Sequence, residues 1–450
     1  SDATVVIKKL NRHSLTDVNG DFVFLAVDYG KYDVEVISVE IQNKTFEIDF
    51  NSNYKPQVLF VKSSDVGLEE VVVNAKTKKR DIETKGFAAT VIDVKESSLQ
   101  SIQTNELLGR AVGVRIRQNG GMGSAVDYNL NGMSGNSVRI FIDGIPISTY
   151  GESFSLNSIP PSLIEDVEIY KGVIPAHLSD DALGGAINVI LKKGRRNAFS
   201  ASISYGSFNT QQANFTGMFR DKKTGLTVKA SGFYNYSDND YEIWGRFVKN
   251  INADGTIDNV RVKRFNDAYR SVGGRLELGF SDVKWADQFF VGYNGSDSYN
   301  EIQHGTYMTI PYKGRHADSE AHVLNLNYRK RDLFLKSLEF TVNGMYSYRK
   351  QVVTDTVSYV YNWYGEKAIG MYGDPIKTNK GAQQGPATLN HIKRNILTAR
   401  TGLNYAIHPN HKIILNYIIS DVERSEQDFM KSKVEREFVE RNSLQKNITS

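Results

Sequence analysis

The alternation of apolar and polar residues changes texture twice along this chain. Up to about residue 62, short alternating bursts (TVVIKKL, FVFLAV, YDVEVISVEI and PQVLFV) are separated by turn residues such as Asp17, Asn19, Gly20 and Gly30. That spacing predicts a small antiparallel β-sandwich. Within it, DVNGDFVF carries an Asn-Gly signal for a tight turn between strands, because both residues accept positive φ at little cost. Next comes VGLEEVVVNAKTKKRDIETKG, in which Val71 to Val73 are strongly β-forming and Lys76 to Arg80 are nearly all charged or polar. The pattern predicts an extended strand beside a solvated linker.

From about Ile82 to Lys193 the pattern becomes mixed α/β. Thr104 stands as a cap before Leu107 and Leu108, with Gly109 and Gly113 as stops, so a short helix followed by a strand is expected. SVRIFIDGIPI alternates over Val138, Ile140 and Ile142 and then turns through Asp143 and Gly144, with Pro146 restricting the exit. Pro160 and Pro161 can open a helical turn, and Val167 to Tyr170 reads as a strand. In DALGGAINVILKK, Gly184 and Gly185 permit close backbone approach, and Ile187, Val189 and Leu191 share one face of a last strand.

Behind Gly194 the texture changes again, to strands of about ten residues or more joined by short and long connections in alternation. Short turns fall near Asp221 to Gly225, Asp282 to Ala286, Lys330 to Phe334 and Pro409 to His411. Long connections fall near Ser237 to Asn266, Tyr299 to Ala317 and Val353 to Lys393. In LKSLEFTVNGMYSYRK, Leu338, Phe340, Val342, Tyr346 and Tyr348 share one side, and Glu339, Thr341, Asn343 and Ser347 the other. A lipid-facing and a lumen-facing set follow. Nine strands are read in this way, the last ending near Val422. A soluble sandwich or propeller would instead show strands of about five or six residues.

Composition sharpens this picture. Of the 49 Phe, Tyr and Trp residues in a chain of 450, 14 precede Phe199, so aromatic density doubles where the long strands begin. Aromatic girdles at membrane interfaces are a specific reason for such a step. No run approaches the roughly 18 apolar residues of a membrane-spanning helix, so any crossing is made by strands. With 55 basic and 51 acidic residues in near balance, nucleic-acid binding has little electrostatic support. The absence of cysteine removes disulfides, thiolate metal sites and cysteine nucleophiles.

Four blocks in order, LLGRAVGVRI, LNGMSGNSVRIFIDGIPI, IPPSLIEDVEIYKG and DALGGAINVILKK, resemble the plug domain of TonB-dependent outer-membrane receptors. Thr16 to Val36 resembles the carboxypeptidase-regulatory-like domain, here without that family's first strand and turn. SYGSFNTQQ resembles the first hairpin of receptor barrels in the plug's family. The expected fold is thus a partial membrane β-barrel with an α/β plug domain and a small N-terminal β-sandwich domain. Its parts are a trimmed regulatory-like domain over 1–65, a linker over 66–81, the plug over 82–194 and barrel strands over 195–450. Plugged transporters have about 22 strands, so the barrel is expected to continue past Ser450. The regulatory-like domain and the plug variant resemble receptors of the Bacteroidetes branch.

The resemblance implies energised nutrient import across the outer membrane of a Gram-negative bacterium. TonB with its inner-membrane energising complex, outer-membrane lipids and a small-molecule ligand are the implied partners. A candidate Ton box lies at Glu69, Glu70, Val71, Val72 and Val73, where a strand could add to a partner's sheet edge. Plug motif positions are Gly132, Asp143, Gly144, Pro146, Lys171, Gly172, Gly184, Gly185 and Asn188. Family plugs use arginines to grip carboxylates on the barrel wall, but Asn131 and Lys171 stand where such arginines are usual. That latch is in doubt, because lysine is a point charge without the fork of arginine.

Aromatic and basic residues of the long connections, namely Tyr241, Trp244, Arg246, Tyr307, Lys313, Arg315, Trp363 and Tyr364, are candidate ligand contacts. A ferric siderophore or other iron complex is the first expectation for the ligand. The alternatives are a SusC-like importer of glycans or peptides working with a surface lipoprotein, a cobalamin or haem receptor, and a secreted β-rich adhesin or enzyme. No catalysis, cofactor or resident metal is expected, since neither GxSxG nor HExxH occurs. NADGTIDN and DVNGD lack the spacing of a calcium loop and read as turns. His177, Asp180 and Asp181 read as a solvated turn, and HPNHK as a tight one.

Overall fold

A computed structural model describes the chain apart from residues 1–2, 11, 18–19, 38–43, 52–56, 62–87, 95–103, 152, 157–158, 160, 162–163, 176–177, 179–182, 193–196, 306–307, 383–384, 409–410, 440–442 and 450. Two units separate, Ser1–Thr77 and Lys78–Ser450. The first unit is a four-stranded antiparallel sheet. Its strands are β1 (Thr4–Ile7), β2 (Arg12–Leu15), β3 (Gly30–Ile37) and β4 (Lys44–Phe50), in the order β2-β1-β3-β4. Val5, Ile7, Tyr32, Val34, Val36 and Ile48 form its core.

Two of the expected strands are not strands. FVFLAV and QVLFV lie outside any strand, Phe22, Phe24, Leu59 and Val61 packing on the core while Val23 and Leu25 face out. Alternation reported which side chains go inward but not who bonds the backbone. Here the Arg12 guanidinium takes the carbonyls of Leu25 and Ala26, in place of a neighbouring strand.

The second unit begins with an α/β module. Its strands are β5 (Ala89–Asp93), β6 (Val114–Gln118), β7 (Val126–Leu130), β8 (Val138–Ile142), β9 (Ile145–Pro146), β10 (Ile164–Lys171) and β11 (Gly185–Leu191), with a short helix at Thr104–Gly109. Five form one sheet in the order β5-β10-β11-β8-β9, with β11 parallel to β8 and antiparallel to β10. β11 is covered on both faces and is apolar nearly throughout, as a central strand requires. Thr104 is no cap: it is the first residue of the helix and its hydroxyl donates to the carbonyl of Ile159.

The rest of the chain builds one antiparallel sheet of ten strands. They are β12 (Ala198–Gly206), β13 (Thr210–Arg220), β14 (Leu226–Ser237), β19 (Tyr269–Val283), β20 (Ala286–Glu301), β21 (His316–Arg331), β22 (Leu338–Asp355), β23 (Thr388–His408), β24 (His411–Asp428) and β25 (Ser443–Thr449). The connection after β14 holds two small hairpins of its own, from β15 (Glu242–Ile243), β16 (Lys249–Ile251), β17 (Ile257–Asn259) and β18 (Val262–Lys263). NADGTIDN is the turn of the inner hairpin, with Gly255 N bonded to Asn252 O.

Nine strands ending near Val422 were expected. β24 instead runs on to Asp428 and pairs with a tenth strand, SLQKNIT, whose two apolar residues give too little alternation to be read.

One face of this sheet exposes Leu276, Leu278, Val291, Tyr293, Leu324, Tyr346, Leu397, Leu415, Tyr417 and Ile419. An apolar face of that extent has no place in water and is that of a membrane barrel wall. The other face carries Thr227, Glu277, Asn294, Asn325 and Ser347, all buried. They are buried because the module packs there: Val323 of β21 and Met345 of β22 belong to the module's own hydrophobic core. Among the described residues the sheet is open, with β12 and β25 at its two edges.

Candidate functional site

The contact between module and wall is concentrated on one module segment, DGIPISTY over 143–150. Asp143 and Gly144 make the β8–β9 turn with positive φ at both positions. The turn is braced from β11, where Asn188 accepts from Gly144 N at 3.0 Å and Asp143 accepts from Leu191 N at 3.0 Å. Asn188 itself donates to buried Glu168 at 2.9 Å. Burial pushes the Asp143 carboxyl above its usual range, an effect opposed by Arg275 and Lys229 of the wall.

Two wall strands hold this segment by its backbone. Arg400 of β23 donates to Gly144 O at 2.6 Å. Arg349 of β22 donates to Ser148 O, and Ser347 of the same strand donates to Thr149 O at 2.6 Å. Beside them Arg275 and Lys229 flank Glu277, the lysine at 3.3 Å, and Arg275 reaches the Tyr150 hydroxyl. Burial lifts that phenol to about 12, so it stays neutral.

The polarity of the grip is thus the reverse of the one described for the family. Cations on the wall hold carbonyls of the module, while Lys171 makes no ion pair among the described residues and lies against Gly113 and Asn131. The remaining motif positions are structural. Gly132 and Gly172 have positive φ in open turns, Pro146 lies in β9, and Gly184 donates to Ser137 O at 2.7 Å. Gly185 has φ +127°, and a Cβ there would overlap the Tyr170 carbonyl.

A second grip, which sequence reasoning missed, is on the glycine loop 119–125 between β6 and β7. Asn239 carries a carboxamide that accepts from Met122 N and donates to Met122 O, both at 2.9 Å, while also donating to Asp267 O at 2.8 Å. A Cβ on Gly121 would overlap Asn239, and one on Gly123 would overlap the Tyr269 ring. Glycine is needed because the loop backbone meets the wall directly. The GGMG run was the available signal.

The expected ligand residues divide in three. Trp244, Arg246 and Tyr364 are exposed, Trp244 lying under the Arg261 guanidinium. Tyr241, Lys313 and Arg315 are engaged in structure. Tyr241 lies under Arg264, Lys313 donates to Gly365 O at 2.6 Å, and Arg315 pairs with buried Asp355 at 3.4 Å. Trp363 is only 1% exposed and packs with Ile243, Val248 and Val262, so its ring holds two connections together and offers no stacking face. Tyr307, Glu69 to Val73, His177, Asp180 and Asp181 lie outside the described residues.

An amphipathic antiparallel wall gripping an α/β module on its inner face defines a plugged membrane barrel. Two family models match the chain, the TonB-dependent receptor plug domain over residues 81–186 and the CarboxypepD_reg-like domain over 1–73. Both matches, with the relatives that follow, support a TonB-dependent receptor. It is 25% identical to a vitamin B12 transporter BtuB of Vibrio vulnificus over 59% of this chain and 44% of that protein. It is 30% identical to the BtuB of Vibrio cholerae over 58% of this chain and 41% of that protein. The chain therefore spans under half the length of these curated relatives.

Among solved structures, the copper transporter OprC matches with a TM-score of 0.52 at 14% identity, over 76% of this chain and 46% of that one. A mutant of the ferric enterobactin receptor PfeA from Pseudomonas aeruginosa gives the same score and identity, over 76% of this chain and 50% of that one. These likenesses establish the fold.

Proposed function

We propose that the chain is the plug-bearing part of an outer-membrane receptor for energised uptake of a scarce nutrient, most simply a ferric siderophore or other iron complex. The observation carrying this reading is the grip of Arg400, Arg349, Ser347 and Asn239 on the plug backbone. The two arginine bonds alone are each of a kind worth about 1.5–3 kcal/mol. A plug held this firmly does not open by thermal motion often enough to serve transport, since about 5.5 kcal/mol already means a population near one in ten thousand. Opening needs work from outside, which is what TonB and its energising complex would supply through the linker ahead of the plug.

The wall beside the plug is rich in cations, with Lys229, Arg275, Arg349 and Arg400 facing it. That favours an anionic ferric chelate as cargo. Cobalamin is the second reading, because both curated relatives named above are vitamin B12 transporters.

Growth of a receptor-deletion strain on defined iron, cobalamin and glycan sources tests the assignment. Failure on iron chelates alone is expected. Failure on cobalamin alone selects the second reading, and failure on glycans alone, with a lipoprotein co-purifying, selects the SusC-like one. A chain that stays soluble and monomeric without detergent would refute the barrel.

A further inference from the structure

At one end of the wall the connections are short. Residues 221–225 join β13 to β14, Lys284 and Trp285 join β19 to β20, and 332–337 join β21 to β22. These turns are tied to their neighbours: Ser281 N donates to Gly225 O at 2.9 Å, Arg331 N to Asp287 Oδ2 at 2.8 Å, and Ala406 N to Ser337 O at 3.3 Å. They form one hydrogen-bonded rim.

Just inside the rim, on the apolar outer face, Trp285 packs edge to face on Phe280 and Phe289, with ring centroids 5.6 and 5.3 Å away. Tyr328, whose hydroxyl donates to Trp285 O at 2.9 Å, extends the belt to Phe340. Aromatic rings collect where hydrocarbon meets headgroups, so this belt marks the level of the lipid interface.

The rim beyond it is basic. Segments 220–225, 282–287 and 329–337 hold eight basic and four acidic residues, an excess of positive charge. Lys222, Lys223, Lys284 and Lys336 are exposed, and none makes an ion pair with a described residue. The acidic residues of the same turns are engaged elsewhere. Asp221 accepts from Lys223 N, Thr224 N and the Thr224 hydroxyl, Asp282 lies 3.9 Å from Arg220, Asp287 pairs with Arg331 at 3.1 Å, and Asp332 accepts from Ser337 N at 2.6 Å. Phe334 and Leu335, in the longest turn, are 86% and 55% exposed, so an apolar pair stands out among the lysines.

We propose that this rim binds the anionic headgroups of phospholipids, with Lys222, Lys223, Lys284 and Lys336 taking the phosphates and Phe334 and Leu335 entering the acyl region beside them. A lysine ammonium is a point charge on a long apolar stem, which lets it follow a phosphate that moves in the membrane plane. Short turns of outer-membrane barrels lie on the periplasmic side, so the occupant is phospholipid of that leaflet. The charge is strung along three successive turns beside the aromatic belt instead of gathered in one patch, which favours a lipid surface over an acidic protein. This binding is independent of the cargo and goes beyond the transport reading.

The test uses the full-length receptor reconstituted in phosphatidylcholine bilayers, with brominated phosphatidylglycerol or brominated phosphatidylcholine as the probe. Bromine on an acyl chain quenches a nearby indole, and the emission that Trp285→Phe removes isolates the lipids touching Trp285. Phosphatidylglycerol should be preferred at that indole by about fivefold, the scale of one lysine at an anionic surface. Added salt should shrink the preference. Replacing all four lysines by glutamine should abolish it, while Lys249→Gln with Lys377→Gln, both exposed in long connections at the other end of the wall, should leave it unchanged. Heat-modifiable migration on gels confirms that each variant is folded. Equal quenching by the two lipids in the wild type overturns the proposal, whatever acidic protein the rim is found to hold. A preference that survives the four substitutions, or that is lost in the Lys249 and Lys377 variant, overturns it as well.

Discussion

Arg400 and Gly144 are 256 residues apart in sequence, yet the guanidinium Nη1 of one donates to the carbonyl oxygen of the other at 2.6 Å. The acceptor is backbone, so the wall reads the path of the turn rather than the identity of a side chain. Arg349 repeats the arrangement four residues further along the plug, at Ser148.

Arg400→Ala should therefore free the 143–150 segment without unfolding the barrel. The expected loss of plug docking is about 1.5–3 kcal/mol, the worth of a hydrogen bond to a charged donor. Hydrogen exchange of the 143–150 amides reads it directly, and Arg400→Lys should give an intermediate rate. Unchanged protection in Arg400→Ala would mean that this bond does not restrain the plug.

The turn itself was legible, because Asp143 and Gly144 interrupt a clean alternation before Pro146. So was the division of wall residues, since a period of two is the only pattern that puts Ser347 on the plug and Tyr346 in the lipid. What holds the plug was not legible. Arg349, Arg394 and Arg400 look alike in sequence, and only register distinguishes the two that meet carbonyls from the one that does not. Asn239 was hidden for the same reason, its partner Met122 being 117 residues away. Trp363 was misplaced because an indole in a polar connection gives no local sign of burial. Its neighbours Ile243, Val248 and Val262 come from a different connection.

Two plug glycines should respond differently to alanine. Gly132 has φ +89° with open space around its Cβ position, so Gly132→Ala meets only the left-handed backbone penalty of roughly 1–2 kcal/mol. Gly185 has φ +127°, and its Cβ would also run into the Tyr170 carbonyl in the middle of a buried sheet. Gly185→Ala must part β10 from β11 and should cost clearly more. Urea titration followed by plug-specific proteolysis ranks the two, and equal midpoints would show that strain rather than packing dominates at Gly185.

Trp363 and Tyr364 are adjacent but are 1% and 55% exposed. Trp363→Ala should cost about 3–5 kcal/mol within the connections by opening a large cavity. Tyr364→Ala should stay within about 0.5 kcal/mol. Limited proteolysis of the 238–268 and 356–387 connections distinguishes them, with faster cleavage of both expected for Trp363→Ala alone. A reversed order would return Trp363 to the ligand-contacting set.

His304 should make the 302–315 connection sensitive to acid. Its ring bonds Gly305 O through Nδ1 at 2.6 Å and meets the Arg264 guanidinium through Nε2 at 3.1 Å, so the imidazole is neutral and Nε2 accepts. Burial lowers its proton affinity, and Arg264 adds to the effect while Asp267 opposes it. With the folded value below the ordinary one near 6.5, the unfolded segment takes up the proton first as pH falls. Stability from this group is present above about 6.5 and is lost as pH drops from there toward the folded value.

Asp267, raised by burial, acts with the opposite sign: its ionisation disfavours the folded connection as pH rises from the ordinary carboxylate range. The two windows are separable because the histidine step begins higher. Proteolysis rates of the connection at about pH 7.5 and about pH 5.5, on either side of the ordinary histidine value, should differ in the wild type and converge in His304→Gln. An unchanged pH dependence in His304→Gln would assign the acid response to another group.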